Sequence, residues 1–231
     1  MAHQQAALHV PTNAPAGEPV PARPKRITVP WVRARKVREG NDPLVMVTAY
    51  DASGARIADD AGVDMILVGD SLAMVVLGYD DTLSVTIDDM AHHTAAVART
   101  KPSALIVGDL PWMSYHVSAA ETVRNAAQLI RAGAQCVKLE GGIHVAETVM
   151  RLAQIDIPVM GHIGLTPQSV HRMGGHKVQG RERGNAPGAR ERLLRDAVAL
   201  EEAGAFAIVI EGVPADLAAD ANGTRPIVRT G

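Results

Sequence analysis

One turn recurs three times along this chain and restricts its fold more than any other feature. Ala61-Gly62-Val63-Asp64, Ala132-Gly133-Ala134-Gln135 and Ala203-Gly204-Ala205-Phe206 each place a glycine after a helical pattern and just before an apolar run. Glycine suits the left-handed cap that ends a helix, so each copy reads as a helix-to-strand turn. Three copies imply a repeated βα unit and a parallel sheet. The expected strands are 44–48, 65–68, 104–107, 135–139, 158–161 and 206–210. Most are near-continuous Val, Ile, Leu and Met, as expected when helices cover one face and a core covers the other. Ser118 with Glu121, and Thr86 with Asp89, have the form of capping boxes, the first opening a helix that runs to about Ala132.

Two parallel architectures compete, a (β/α)8 barrel and an open doubly wound sheet. An open dinucleotide-binding sheet should carry G-x-G-x-x-G after its first strand. Here that position reads Ala49-Tyr50-Asp51-Ala52-Ser53-Gly54. The fold class is therefore read as α/β, a (β/α)8 TIM-barrel type. With 231 residues, 47% of them hydrophobic and 21% charged, the chain suits one domain with a sizeable core. Residues 1–27 hold Pro11, Pro15, Pro19, Pro21 and Pro24 among Ala, Gln and Asn. Such a segment buries too little apolar surface to offset its ordering entropy and is read as a flexible tail. The barrel domain is read as 28–231.

Composition removes several function classes. A net charge of −2 and a pI near 6.5 give no footprint for nucleic acid or an anionic membrane. The sequence has no long apolar run of the kind that spans a bilayer, so no transmembrane helix is expected. Cys136 is the single cysteine, which excludes an intrachain disulfide and fits a reducing cytoplasm. Aromatic residues make up 3% of the chain, which disfavours base-stacking platforms.

Barrel enzymes place their chemistry at the carboxyl ends of the strands. Those ends carry Tyr50-Asp51, Gly69-Asp70-Ser71, Gly108-Asp109, Lys138-Leu139-Glu140, Gly161-His162 and Glu211-Gly212. Asp70 and Asp109 follow matching Val-Gly pairs, and with Glu140 they would converge three carboxylates. Such neighbours raise one another's pKa unless a cation sits among them. Oxygen ligands without a Cys/His cluster suit Mg²⁺ better than zinc. Strand alternation puts Cys136, Lys138 and Glu140 on one face. Lys138 is read either as the partner of a substrate carboxylate or as a salt bridge to Glu140. Each lone acid also has a plain reading as a helix cap. Glu211 ends an apolar strand, surroundings expected to raise its pKa toward that of a useful base. His162 is read as an orienter of a substrate oxygen or as a packing residue. His92, His93, His171 and His176 show no metal spacing. The glycine-rich stretch 174–184, with Lys177 and Arg181, reads as a flexible loop or as a cradle for an anionic cofactor tail.

These residues carry a family resemblance. T-A-Y-D at 48–51, V-G-D-S-L at 68–72, G-Y-D-D-T at 78–82, G-D-L-P at 108–111 and V-K-L-E-G-G at 137–142 run in order. G-H-I-G-L-T-P-Q-S-V at 161–170 and G-G-H-K-V-Q-G-R at 174–181 follow. Together they resemble the ketopantoate hydroxymethyltransferase family over roughly residues 27–218. The resemblance implies a Mg²⁺-dependent barrel that transfers a hydroxymethyl group from 5,10-methylenetetrahydrofolate to 3-methyl-2-oxobutanoate. It implies Asp70, Asp109 and Glu140 as metal ligands and Asp70, Ser71, Asp109 and Lys138 as keto-acid contacts. It implies Glu211 as the proton acceptor, and a homodecamer as the assembly.

The match fades near Leu217, and the family's pattern of eight strands is represented here by six. The domain is accordingly expected to be truncated after about six strands, with residues 225–229 as a stub of a seventh. Two alternatives to the active transferase follow: a non-catalytic remnant of that enzyme, and another Mg²⁺-dependent keto-acid carbon–carbon lyase of similar barrel design.

Overall fold

The computed structural model describes residues 23–35, 43–181 and 187–224. Six strands, β1 (Met46–Thr48), β2 (Met65–Val68), β3 (Leu105–Asp109), β4 (Cys136–Glu140), β5 (Val159–Gly164) and β6 (Ala207–Glu211), form one sheet. They lie in chain order and every adjacent pair is parallel. This is the arrangement of staves in a (β/α) barrel, here a six-stranded half-barrel. Helices follow the strands: α1 (Val29–Ala34) precedes β1, α2 (Ala52–Asp60) follows it, and α3 (Leu72–Val75) and α4 (Ile87–Ala98) follow β2. Then come α5 (Ala119–Ala132), α6 (Ala146–Ala153), α7 (Val170–Met173), α8 (Ala189–Glu202) and α9 (Ala215–Thr224). No helix among the described residues is long and apolar enough to cross a membrane.

Of the two expected capping boxes, one forms in full and the other only in part. Thr86 forms a full capping box with Asp89 at the start of α4, and the Ser118 side chain accepts from Glu121 N at the start of α5. Gly62, Gly133 and Gly204 all have positive φ, at 80°, 113° and 100°. Strands β3 to β6 run one to three residues later than the apolar runs suggest. Their polar ends stay in the ladder, so Asp109, Glu140 and Glu211 are themselves the last or nearly last strand residues.

Period-two alternation splits the core in two. Ile66, Val68, Ile106, Val137, Leu139, Val159, Ile163, Ile208 and Ile210 face the helices, packing with Leu129, Val149, Leu152 and Leu200. The opposite face carries Met65, Leu105, Val107, Cys136, Met160 and Val209, and against it pack Ile27, Trp31 and Val32. Segment 27–32 thus covers the amino-terminal end of the inner face, with Ile27 N donating to Ser103 O at 2.8 Å. The tail expected at 1–27 lies largely outside the described residues, but its last part is seated. Arg23 pairs with Asp64 at 2.9 Å, and Ile27 is fully buried. The expected strand stub at 225–229 lies outside the described residues.

The repeated turn supplies a test with an internal control. A Cβ on Gly133 would approach Ala98 Cβ to 2.3 Å, whereas one on Gly62 meets nothing within 4 Å. Both substitutions strain a positive φ, which costs about 1–2 kcal/mol. Gly133→Ala adds a steric clash with α4 and should cost about 1–3 kcal/mol more than Gly62→Ala. Equal losses in denaturant unfolding would show that packing at Gly133 does not matter.

Candidate active site

The carboxyl ends of β2 to β6 gather six ionisable groups on the inner face. In the sheet register Asp109 lies opposite Lys138, Glu140 opposite His162, and Gly164 opposite Glu211. Neighbouring strands stand about 4.8 Å apart, so residues matched across strands approach more closely than residues two apart on one strand. Lys138 accordingly pairs with Asp109, Nζ to Oδ2 at 2.8 Å, with both side chains almost fully buried. The alternative salt bridge from Lys138 to Glu140 does not form; Asp109 wins because it is the directly opposed partner.

The other expected residues arrive at the same place. Asp70 follows β2, and its backbone N–H donates to Asp109 Oδ2 at 3.2 Å. Beside it, the Ser71 hydroxyl shares a 2.9 Å hydrogen bond with the Tyr50 hydroxyl. His162 lies between two acids: Nδ1 is 3.3 Å from Glu140 Oε1 and Nε2 is 3.2 Å from Glu211 Oε2. These are ion-pair contacts and not well-aligned hydrogen bonds, since neither Glu140 Oε1 nor His162 Nε2 has a hydrogen-bond partner. Lys138 Nζ also lies 3.4 Å from His162 Nδ1. Lys138, His162 and Glu211 line a cavity of about 450 Å³ with Met46, Thr48, Leu67 and Val209.

Two residues that the strand-end reading passes over hold the acids in place. Gln168, in the short helical turn Pro167–Ser169, donates from Nε2 to Asp70 Oδ2 at 2.8 Å and to Leu110 O at 3.0 Å. Its backbone N–H donates to Glu140 Oε2 at 3.0 Å. The Tyr115 hydroxyl donates to Gln168 Oε1 at 2.6 Å and accepts from Glu140 N at 3.2 Å. Both residues sit in loops, where neither periodicity nor a strand end marks them. The other histidines take no part in this cluster. His93 Nδ1 contacts Tyr50 O at 2.7 Å, and His171 and His176 are exposed.

Burial and mutual repulsion set the charges. Burial pushes the Asp70 carboxyl up to about 8, and the neighbouring Asp109 charge adds to the shift. Asp109 is raised by burial too, against the pull of Lys138. For Lys138, burial works against the charge, but Asp109, Glu140 and Asp70 outweigh it and raise its pKa. Burial and the Lys138 charge press His162 down, while its contacts with Glu140 and Glu211 prevail and raise it. Glu211 departs from expectation. Its side chain is 42% exposed, and the contact with His162 holds it below the usual carboxylate range despite partial burial. The apolar strand that precedes it does not surround the carboxylate.

Among the described residues no three His, Cys, Asp or Glu side chains already close on a common metal position. The donor set nevertheless fits a hard cation. Asp109 Oδ1 and Glu140 Oε1 are buried acceptors without a hydrogen-bond partner, and such orphans are costly unless something positive completes them. The acids are oxygen donors of the kind Mg²⁺ prefers.

Comparison with known proteins gives a consistent result. The family model described as ketopantoate hydroxymethyltransferase matches residues 26–229. A 3-methyl-2-oxobutanoate hydroxymethyltransferase of Pelobacter propionicus is 52% identical over 196 residues, covering 84% of this chain and 70% of that protein. One from Ignicoccus hospitalis is 56% identical over 194 residues, covering 84% and 72%. Among solved structures, a 2,3-dimethylmalate lyase of the PEP mutase/isocitrate lyase superfamily superposes with a TM-score of 0.62 at 19% identity, over 86% of this chain and 70% of that one. A phosphonopyruvate hydrolase, crystallised with oxalate and Mg²⁺, gives 0.61 at 16% identity, over 89% and 81%. At these identities the two structures speak for the fold alone.

The loop clamp should be measurable. Gln168→Ala leaves the Tyr115 hydroxyl, Leu110 O and Asp70 Oδ2 short of a partner in a buried site. The expected loss is about 2–4 kcal/mol in denaturant unfolding. A loss under about 0.5 kcal/mol would mean that water replaces the side chain and that the clamp is not what orders the acids.

Proposed function

The chain belongs to the ketopantoate hydroxymethyltransferase family, and from that premise we propose that it transfers a hydroxymethyl group from 5,10-methylenetetrahydrofolate to 3-methyl-2-oxobutanoate, giving 2-dehydropantoate for pantothenate biosynthesis. The observation that carries this reading is the buried junction of Asp70, Asp109 and Glu140 with Lys138, in which two carboxylate oxygens lack a hydrogen-bond partner. A keto acid that must lose a proton from C3 needs positive charge at its oxygens, and this junction is built to gather it.

Asp70, Asp109 and Glu140 would hold Mg²⁺, which supplies Lewis-acid polarisation of the 2-oxo and carboxylate oxygens when bound. Lys138 keeps its ammonium charged through its acidic neighbours and presents it at the cavity wall. There it faces the substrate carboxylate and supports negative charge developing at the keto oxygen. Ser71, oriented by Tyr50, offers a hydroxyl beside Asp70 to the same substrate. Glu211 stands at the cavity's edge on the next strand but one from Lys138 and takes the C3 proton. The contact with His162 holds that carboxylate below its ordinary range and fixes its position. A base held low is a weak one, so the acidity of C3–H has to come from charge stabilisation around the 2-oxo group. The C3 carbanion then adds to the one-carbon unit; one water is consumed overall and tetrahydrofolate leaves. The same reading places the protein in the cytoplasm as a homo-oligomer, a decamer by family resemblance.

Proton exchange isolates the first half of the reaction from folate. With Mg²⁺ in D₂O the protein should exchange the C3 proton of 3-methyl-2-oxobutanoate, followed by NMR, and a chelator should abolish the exchange. Glu211→Gln should slow it by at least about 100-fold; an unchanged rate would remove Glu211 as the base. Because the Glu211 pKa is depressed, the carboxylate stays ionised as pH falls. The exchange attributable to it should be lost only below the ordinary glutamate range, about 4.3. Exchange without any folate-dependent product would favour a lyase-type activity over the transferase.

A further inference from the structure

A second opening lies beside the strand ends, on the side of the turns that follow β4 and β5. It is a cleft of about 620 Å³, within the range of about 300–1,000 Å³ that accepts drug-sized ligands. Gly141, Gly142 and Gly164 form part of its wall. Gly141 directly follows Glu140, and Gly164 is matched in register with Glu211. The cleft therefore begins where the proposed metal ligand and base end. Ile143, Met173 and Leu193 add apolar wall, and Arg172 and Lys177 add positive charge. Asp196 is the one acid in the lining, and it is already engaged: Ile143 N donates to its Oδ1 at 2.8 Å. The same carboxylate closes on Gly142, where a Cβ would come within 2.0 Å of it, so Asp196 ties α8 to the turn after β4. Among the described residues neither Arg172 nor Lys177 has a carboxylate partner.

A cleft of this kind suits a ligand that is flat and partly apolar, reactive at one end and anionic at the other. We propose that it receives the folate co-substrate, with the glutamate carboxylates at Arg172 and Lys177 and the ring that bears the one-carbon unit toward Glu140 and Glu211. This rests on the hydroxymethyltransferase reading and extends it to residues outside the keto-acid cavity. A tetrahydrofolate carries two carboxylates on its glutamate, separated from the pterin by an aromatic aminobenzoyl group. Guanidinium and ammonium groups are the natural partners of those carboxylates. The apolar residues suit the aminobenzoyl ring, whereas a bare inorganic anion would gain nothing from them. The distribution also matches the order of the reaction. The keto acid occupies the inner cavity, the folate lies outside it, and the strand ends that carry Glu140 and Glu211 lie between.

Calorimetric titration of the full-length protein with tetrahydrofolate tests this without requiring turnover. Arg172 and Lys177 are exposed, so Arg172→Ala and Lys177→Ala should fold normally. Each should weaken tetrahydrofolate binding about tenfold, as expected for loss of one charge-assisted contact. Binding of a tetrahydropterin without the aminobenzoylglutamate should not change, nor should C3–H exchange of the keto acid. Equal tetrahydrofolate affinity in the wild type and both variants would overturn the proposal. So would full displacement of tetrahydrofolate by inorganic phosphate at matched ionic strength, which would mark a general anion site. Binding that depends on Arg172 and Lys177 in a protein that shows no C3–H exchange would sustain the cleft and overturn the catalytic reading instead.

Discussion

The contact between Lys138 and Asp109 is the one on which the rest of the site depends. Asp70, Asp109 and Glu140 are all buried at one end of the sheet, and burying three carboxylates together is costly without compensation. One ammonium, 2.8 Å from Asp109, offsets part of that charge. His162 lies between Glu140 and Glu211 and, when protonated, offsets a further part. What remains is carried by hydrogen bonds, chiefly those of Gln168 and Tyr115. Even so, two carboxylate oxygens stay without a hydrogen-bond partner, and Asp70 is pushed far above its ordinary pKa. The surrounding fold has to hold an arrangement that its own charges oppose, which is how binding sites for cations and oxyanions are kept ready.

The inner face of the sheet shows how the fold achieves this. Along β4 the inward residues run Cys136, Lys138, Glu140; along β5 they run Met160, His162; along β6, Ala207, Val209, Glu211. Each strand is apolar at its amino end and ionisable at its carboxyl end. The apolar ends bury against Ile27, Trp31 and Val32, which fastens the strands where no chemistry is needed. The parallel register then carries the ionisable ends into one layer, and a one-residue slip in β3, β4, β5 or β6 would turn its ionisable residue toward the helices. Stability and chemistry thus occupy opposite ends of the same side-chain columns.

How much of this is legible in the sequence follows from where each kind of information resides. Strand identity, the parallel sheet and the helix caps are local properties, set by apolar runs, by Thr86 and Ser118, and by Gly62, Gly133 and Gly204. Asp70, Asp109, Lys138 and Glu140 are legible as strand ends that must meet once the sheet is parallel. The partner of Lys138 is not, because pairing across strands depends on a register that no single strand encodes; Glu140 is nearer in sequence and Asp109 nearer in space. The same limit governs Glu211. Its own strand is apolar and suggests a raised pKa, but His162 comes from the neighbouring strand and reverses the sign. Gln168 and Tyr115 lie in loops whose positions are decided only by the finished fold.

In the proposed mechanism the low pKa of Glu211 and the crowding of the acids are two halves of one arrangement. A glutamate raised into the neutral range would be a stronger base, but as the proposed proton acceptor it would then be protonated for part of the time. With His162 against it, Glu211 is held below the usual carboxylate range, and in the mechanism proposed above the burden of making C3–H acidic would fall on the cluster of Asp70, Asp109, Glu140 and Lys138. Burial suits the cluster to that proposed role: electrostatic interactions are strong where water is excluded, and the same burial that strains the carboxylates would strengthen their hold on a cation and on a substrate's oxygens. The exposure of Glu211 and the burial of Asp109 are therefore complementary. Under the proposed mechanism, one would keep the proton acceptor open to exchange with solvent, and the other would concentrate the field that makes the proton removable.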